Sequence, residues 1–414
     1  MAKSSTTAWF VVKLAYLMSQ SRATPPLLKH LNERTVLDAI RSYAPVSRAE
    51  ISRRVGISKP TVSLALQTLL DAKLVREAAH DGDGPSYGAV FFEPVTDAAY
   101  VLGLDVGARF VRGALCDLAG DVRARQDVEL PERTAAAAMD AITTLSESLV
   151  AAAASPDALI DGVVVGVPGA VAGGRIALAA NVTGLEGDVF ARELESRLAR
   201  SVTIENDINL SALGEQWRGI ARGVDDFVFM SIGTGLGAGL VLRGQLHRGL
   251  NGAAGELDYA RVGLTEDIDP CAGALCELAE RTAWGRRTVL EAPYDTRLIF
   301  AAARAGDAVA VDVVAEEARR IALHIAPIVA VADVGLVVLG GGIGANGDLL
   351  HDGIRSLLAE WLPSPPRLEA SSLGDAAVLT GALSVGRRAA LDNVFLNRRA
   401  APPGPDRSPP LTLE

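Results

Sequence analysis

Residues 227–239 read FVFMSIGTGLGAG. Phe227–Ile232, apolar but for Ser231, has the length and composition of a strand buried on both faces. It runs straight into Gly233-Thr234-Gly235-Leu236-Gly237-Ala238-Gly239, expected as one glycine-rich turn before a return strand beginning at Val241-Leu242 and a turn at Gly244-Gln245. Glycines placed directly after a buried strand let backbone amides approach a phosphate or nucleotide closely. One such turn says little; its recurrence decides the reading. Gly335–Leu339 (GLVVL) runs into Gly340-Gly341-Gly342, and Val101–Val106 (VLGLDV) runs through Asp105 into Gly107.

Working outward, Phe110–Leu118 and Val122–Leu130 read as strands joined at Ala119-Gly120-Asp121. An Ala-rich helix over about 132–154 follows, then the strand Gly162–Val167 (GVVVGV), ending at Pro168-Gly169. Three strands, a helix and a strand make an α/β pattern. Two such halves with glycine turns predict a two-lobed body around a cleft, with lobes over about 98–205 and 206–398. Ile204–Asn209 (IENDIN) ends a strand near Val202 and opens a helix over 210–220. A carboxylate there projects into the cleft. Asp207 is placed either to take a proton from a sugar hydroxyl, as phosphoryl transfer requires, or simply to cap the helix; spacing leaves both open.

The 414 residues fit two or three domains. With 49% hydrophobic residues there is ample material for a core, so a disordered chain is excluded. Three cysteines exclude a disulfide scaffold and fit a reducing, cytoplasmic setting. No stretch reaches the roughly 18 apolar residues needed to cross a bilayer. The apolar run Ala8–Met18 is broken by Lys13 and lies in an extension over residues 1–30; the Pro-rich tail 400–414 lacks periodicity and is expected to be disordered. The net charge of −10 argues against a uniformly basic nucleic-acid binder, yet residues 1–94 carry twelve Lys and Arg against eight Asp and Glu. A basic end on an acidic body points to a small DNA-facing module.

Residues 31–94 supply it. Three helices are expected between Asn32 and Val75. Ser47-Arg48-Ala49-Glu50 is a capping box, Gly56 suits a sharp exit from a helix, and Ser58 can cap the next one. Val62, Ala65, Leu66 and Leu69 form that helix's buried face. Helix, glycine turn and capped second helix make a helix-turn-helix, whose second helix enters the major groove amino end first. Ser58 and Lys59 at the helix start suit phosphates; Thr61, Ser63 and Gln67 can reach base edges. Asp81-Gly82-Asp83-Gly84-Pro85 between two strand-like runs, Leu74–Ala78 and Tyr87–Phe92, is a candidate wing, although an acidic one, and Leu64 sits on the presumed reading face. A small helical bundle with a solvated polar face would share much of this pattern.

Together these residues resemble the ROK family (repressor, open reading frame, kinase), in particular its repressor branch of the xylose-repressor and N-acetylglucosamine-repressor kind. The resemblance spans about residues 32–395. It is carried by Ser231–Glu256, by Val167–Val171, Asn181, Glu205-Asn206-Asp207 and Val338–Ala345 (VLGGGIGA), and by Ser58–Ser63. It implies an actin- and hexokinase-like (RNase H-like) two-lobed body behind a winged helix, with homodimers or homotetramers. It also implies a sugar held by Asn181, Asn206, Asp207 and Glu256. Asp105, Gly233, Thr234, Gly235, Gly340, Gly341 and Gly342 would then be the phosphate loops of a kinase ancestor.

Several positions depart from the family. The kinases have Asp-x-Gly-Gly-Thr at the first loop; here Asp105-Val106-Gly107-Ala108-Arg109 adds a Cβ and loses the hydroxyl, which argues against Mg-ATP as a working cofactor. The family's zinc site uses one histidine and three cysteines. Tyr259 and Asp269 replace two of these, leaving Cys271 and Cys276, which argues against a tetrahedral zinc. In the wing, Gly84-Pro85-Ser86 lacks the family's arginine. The expected function is a sugar-responsive regulator that binds operator DNA and represses carbohydrate uptake or catabolism genes. The alternatives are an active sugar kinase that also binds DNA, with Asp207 as base, and a regulator whose body docks a protein partner instead of a sugar.

Overall fold

The computed structural model describes residues 25–78, 89–153, 159–179, 181–259 and 268–400. The run Ala8–Met18, the wing turn 81–85 and the tail from 401 onward lie outside them. By packing, the chain divides into two units. One comprises Met1–Ala99 together with Leu391–Glu414; the other comprises Tyr100–Ala390.

The first unit opens on helix α1 (Pro25–Tyr43), longer at its amino end than the expected start near Asn32, followed by strand β1 (Val46–Ser47). Helices α2 (Arg48–Val55) and α3 (Lys59–Asp71) follow, then strands β2 (Val75–Ala78) and β3 (Phe91–Pro94). The caps form as the sequence dictates. The Ser47 hydroxyl accepts the Glu50 amide at 3.3 Å, and Gly56 leaves α2 with φ +70°. Ser58 accepts the Thr61 amide at 3.4 Å and opens α3. Only half of the expected capping box closes, because the Glu50 carboxylate instead pairs with Arg53 and Arg54 at 2.5 and 2.6 Å. Val36, Leu37, Ile40, Ile51, Val62 and Leu69 make the fully buried core. β2 and β3 pair antiparallel, Val75 opposite Pro94, and β1 completes a three-stranded sheet in the order β1-β3-β2. This is a winged helix-turn-helix, the second wing strand lying a few residues later than the run Tyr87–Phe92.

The second unit contains two sheets of one topology. The first comprises β4 (Tyr100–Val106), β5 (Phe110–Asp117), β6 (Val122–Glu129), β7 (Ile160–Val167) and β10 (Val202–Asn206), in the order β10-β7-β4-β5-β6. A small hairpin, β8 (Ala170–Ala172) and β9 (Arg175–Ala177), stands apart, and helices α4 (Ala135–Ala153), α5 (Val189–Leu198) and α6 (Asp207–Arg218) intervene. The second sheet comprises β11 (Phe227–Ile232), β12 (Leu236–Leu242), β13 (Gln245–His247), β14 (Leu336–Gly340) and β15 (Arg367–Ala370), in the order β13-β12-β11-β14-β15. In each sheet the first strand pairs antiparallel with the second and parallel with the fourth. The two halves suspected from the glycine turns therefore share one strand order. Helices α7 (Ala272–Ala283), α8 (Thr296–Arg304), α9 (Ala308–Ala332), α10 (Gly341–Gly344) and α11 (Gly347–Trp361) accompany the second sheet, and α12 (Ala377–Ala400) is the last described element.

The glycine-rich stretch after β11 is shorter as a turn than expected. Only Gly233–Gly235 form the loop; Gly237, Ala238 and Gly239 belong to β12. Helix α6 packs directly on that strand. A Cβ on Gly239 would lie 2.8 Å from the Ile208 carbonyl and from the Ala212 methyl, and one on Gly237 would strike the Ile208 side chain. These glycines permit close helix–strand packing rather than a wider loop.

Candidate functional site

Helix α6 places the decisive carboxylate. Asn206 is its N-cap, with Oδ1 accepting the Asn209 amide at 2.8 Å and Nδ2 donating to the Gly169 carbonyl at 3.0 Å. The capping role left open for Asp207 thus falls to its neighbour. Asp207 occupies the first helical turn, where its Oδ1 accepts the Ile208 amide at 2.9 Å. Burial, with Asp105 and Glu256 nearby, raises its pKa to about 7. Burial likewise raises Asp105 to about 6 against the opposing pull of Arg112, and raises Glu256, helped by Asp258. A carboxyl titrating near neutrality beside a hydroxyl could accept its proton or donate a hydrogen bond to it.

The structure brings Asp105, Asp207 and Glu256 into one electrostatic neighbourhood. Asn206 is buried with its amide engaged on both sides, so it holds the loop at Gly169 against the start of α6. Asn181 is exposed, in the turn after β9. Glu205, buried below Asp207, accepts from the Asn206 amide at 3.0 Å, Asn209 Nδ2 at 3.0 Å and Arg248 Nε at 2.6 Å. Arg248 thereby ties the segment leading to Glu256 onto the end of β10.

Two features at the glycine loops escaped the sequence reading. On β4 and β5, Asp105 lies directly opposite Arg112, whose Nη1 donates to Asp105 Oδ2 at 3.1 Å while its Nε lies 3.7 Å from Asp127. Asp258 stands beside the second loop: a Cβ on Gly235 would lie 3.8 Å from Asp258 Oδ2, and Asp258 accepts from the Leu236 amide. The second and third loops face one another, since a Cβ on Gly233 would lie 3.8 Å from the Gly342 amide, and Gly341 needs its φ of +77° because a side chain would strike the Ile232 carbonyl. The loop backbones are therefore retained. A magnesium nucleotide does not fit the charges around them: the Arg112 guanidinium already holds Asp105, and the Asp258 carboxylate flanks the second loop, where it repels phosphate.

A zinc ion fits no better. Among the described residues no group of three or more His, Cys, Asp or Glu is arranged to hold a metal. Asp269 accepts the Cys271 amide at 2.8 Å, Cys271 is buried with its thiol pushed far above the usual range by burial first and Asp269 second, and Cys276 lies within α7. The segment is held by α9 instead. Arg320 Nη1 donates to the Asp269 carbonyl at 2.8 Å, and the His324 ring lies 3.3 Å from the Ile268 carbonyl. The sequence signal for this anchor is a polar stripe at Glu317, Arg320 and His324, on the face of α9 that its apolar periodicity assigns to the core.

In the winged unit, Lys59, Leu64 and Gln67 are exposed on α3, and Thr61 and Ser63 are half-buried. The Ser58 and Thr61 hydroxyls bond one another at 2.8 Å, Ser63 donates to the Lys59 carbonyl at 2.8 Å, and Gln67 Nε2 donates to Asp71 at 2.9 Å. Ser58 caps α3 and the other four expected residues lie on it, with the Ser58, Thr61, Ser63 and Gln67 side chains engaged locally.

Comparison with known proteins agrees with both units. Residues 30–84 match the MarR family. The xylose repressor of Caldicellulosiruptor bescii is 25% identical over 386 residues, covering 87% of this chain and 96% of that protein. The crystal structure of a ROK family transcriptional regulator homologous to the E. coli MLC protein superposes with a TM-score of 0.75 at 23% identity, over 90% of this chain and 99% of its own. A ROK family glucokinase from Streptomyces griseus, solved with glucose and AMPPNP, gives 0.58 at 28% identity over 70% and 100%. The duplicated sheet, the glycine loops and the carboxylate at the start of α6 lie within residues 101–388, the region that matches the ROK family, and the chain belongs to that family.

Proposed function

We propose that the protein is a sugar-responsive transcriptional repressor of carbohydrate uptake or catabolism genes. Its winged helix binds operator DNA, and its body takes a sugar at Asp207 and Glu256, aided by Asn206 and Asn181, without phosphorylating it. One observation carries this reading: the Arg112–Asp105 ion pair bridges the two strands that flank the first glycine loop, while Asp207 and Glu256 keep their carboxylates free of ion pairs among the described residues. Carboxylates and amides suit vicinal hydroxyls, and a hydroxyl missing from the ligand leaves a buried group unpaired at about 1–3 kcal/mol. The repressors among the relatives make xylose the first sugar to test. The sugar moves the DNA-binding equilibrium only by its differential affinity for two states, about 2.7 kcal/mol for a hundredfold preference. A homodimer or homotetramer in the cytoplasm completes the proposal, since paired reading heads match a two-fold operator.

A mobility-shift titration on duplexes selected from the protein's own genome, with and without xylose and other pentoses and hexoses, tests it. Sequence-selective binding that one sugar alters, weakened in its sugar response by Glu256→Ala, is expected. No selective duplex at physiological salt, or ADP release with Mg-ATP and a sugar that Asp207→Asn abolishes, overturns it.

A further inference from the structure

Leu64 stands 60% exposed in the middle of α3. We propose that it reads thymine, packing its side chain on a 5-methyl group in the major groove; this rests on the DNA-binding reading above. The outward stripe of α3 runs Pro60, Leu64, Gln67 and Asp71 at helical spacing, with Leu64 central. The polar side chains around it are engaged within the helix: Ser63 donates to the Lys59 carbonyl, Thr68 donates to the Leu64 carbonyl at 3.2 Å, and Gln67 donates to Asp71. At the centre of this face the exposed side chain is therefore apolar. Around it the unit has a cation at Lys59 and a capped helix start at Ser58, the features that seat a phosphate backbone. In the major groove the one alkyl group a base pair presents is the thymine methyl; apart from the small cytosine C5–H, the other positions are donors or acceptors. Leu64 gains by covering that methyl, and it penalises the other edges because it removes their water without replacing a hydrogen bond.

The test uses the full-length protein. Duplexes are enriched from a random library, and each thymine of the best one is replaced in turn by deoxyuridine, which removes only the methyl. Burying one methyl corresponds to about fourfold in affinity. Wild-type protein is expected to lose about fourfold at one or two thymines, and Leu64→Ala to bind the thymine duplex more weakly with no further loss on deoxyuridine. The site is exposed, so the variant's unfolding temperature should match wild type. Equal binding of thymine and deoxyuridine duplexes by wild type overturns the proposal while leaving DNA binding intact, and directs attention to a protein partner for this face. A deoxyuridine loss that persists in Leu64→Ala assigns the methyl to another residue and overturns it too. Failure to enrich any sequence removes the DNA-binding reading and the proposal together.

Discussion

Asp207 and Asp105 are neighbouring buried carboxyls, one without a salt-bridge partner among the described residues and one held by Arg112, and each gives stability its own pH dependence. An Asp raised to about 7 in the folded state keeps its proton where the unfolded chain, with an ordinary value near 4, has lost it. Wild-type stability therefore falls as pH rises from about 4 to about 7 and is level beyond. Asp207→Asn removes that dependence while keeping an acceptor for the Ile208 amide. Allowing for partial solvent contact, it should be about 2 kcal/mol more stable than wild type at pH 8 and equal to it near pH 4, by thermal unfolding in matched buffers. Arg112→Ala works in reverse, leaving the Asp105 carboxylate buried without its cation. A loss of about 2–3 kcal/mol at pH 8 is expected, shrinking at pH 5, where Asp105 takes a proton. Equal losses at both pH values would show that the guanidinium matters only for packing.

At the scale of elements, close packing and local bonds fix how the helices sit. Gly239→Val pushes a branched side chain from β12 against the Ile208 carbonyl of α6, and about 1–3 kcal/mol of overpacking cost is expected in urea unfolding. At the other end of α6, Glu215 is wholly buried and gathers the 371–373 turn. Its oxygens accept from Ser371 Oγ at 2.5 Å, Ser372 Oγ at 3.1 Å and the Leu373 amide at 3.1 Å, besides the Ile220 amide at 2.8 Å. Glu215→Ala strands these donors and should cost at least about 3 kcal/mol, with faster hydrogen exchange at Leu373 and Ile220 as the local readout. The Ser58 cap predicts a smaller effect, about 1 kcal/mol on Ser58→Ala, confined to the winged unit.

For the whole molecule, the last turns of α12 belong with α1. Arg34 Nη2 pairs with Asp392, the His30 ring meets Phe395 edge-on at 6.0 Å between centroids, and Phe395 is buried. Phe395→Ala should destabilise the amino-terminal unit by about 3 kcal/mol, seen in calorimetry as a lowered transition for that unit with the body's transition in place. A body transition that falls equally would assign Phe395 to the other core. Periodicity alone extends the body to about residue 398, whereas the packing divides at Ala390, because a helix written as one periodic run carries no mark where its packing partner changes.

What the sequence determined by itself was local or repeated. Ser47, Gly56 and Ser58 act within a few residues of themselves, so the winged helix was legible from its caps. Buried apolar strands entering glycine loops occurred in both halves, so the double sheet was legible from repetition. Tertiary structure alone decided whether Gly237 and Gly239 turn the chain or admit a helix, because the Ile208 and Ala212 atoms they avoid come from another element. It also decided that Arg112 faces Asp105, which follows from the antiparallel register of β4 and β5 and turns a would-be phosphate loop into an ion pair. Periodicity sets which face a side chain takes; register and packing set what stands opposite, and the chemistry of this cleft depends on the latter.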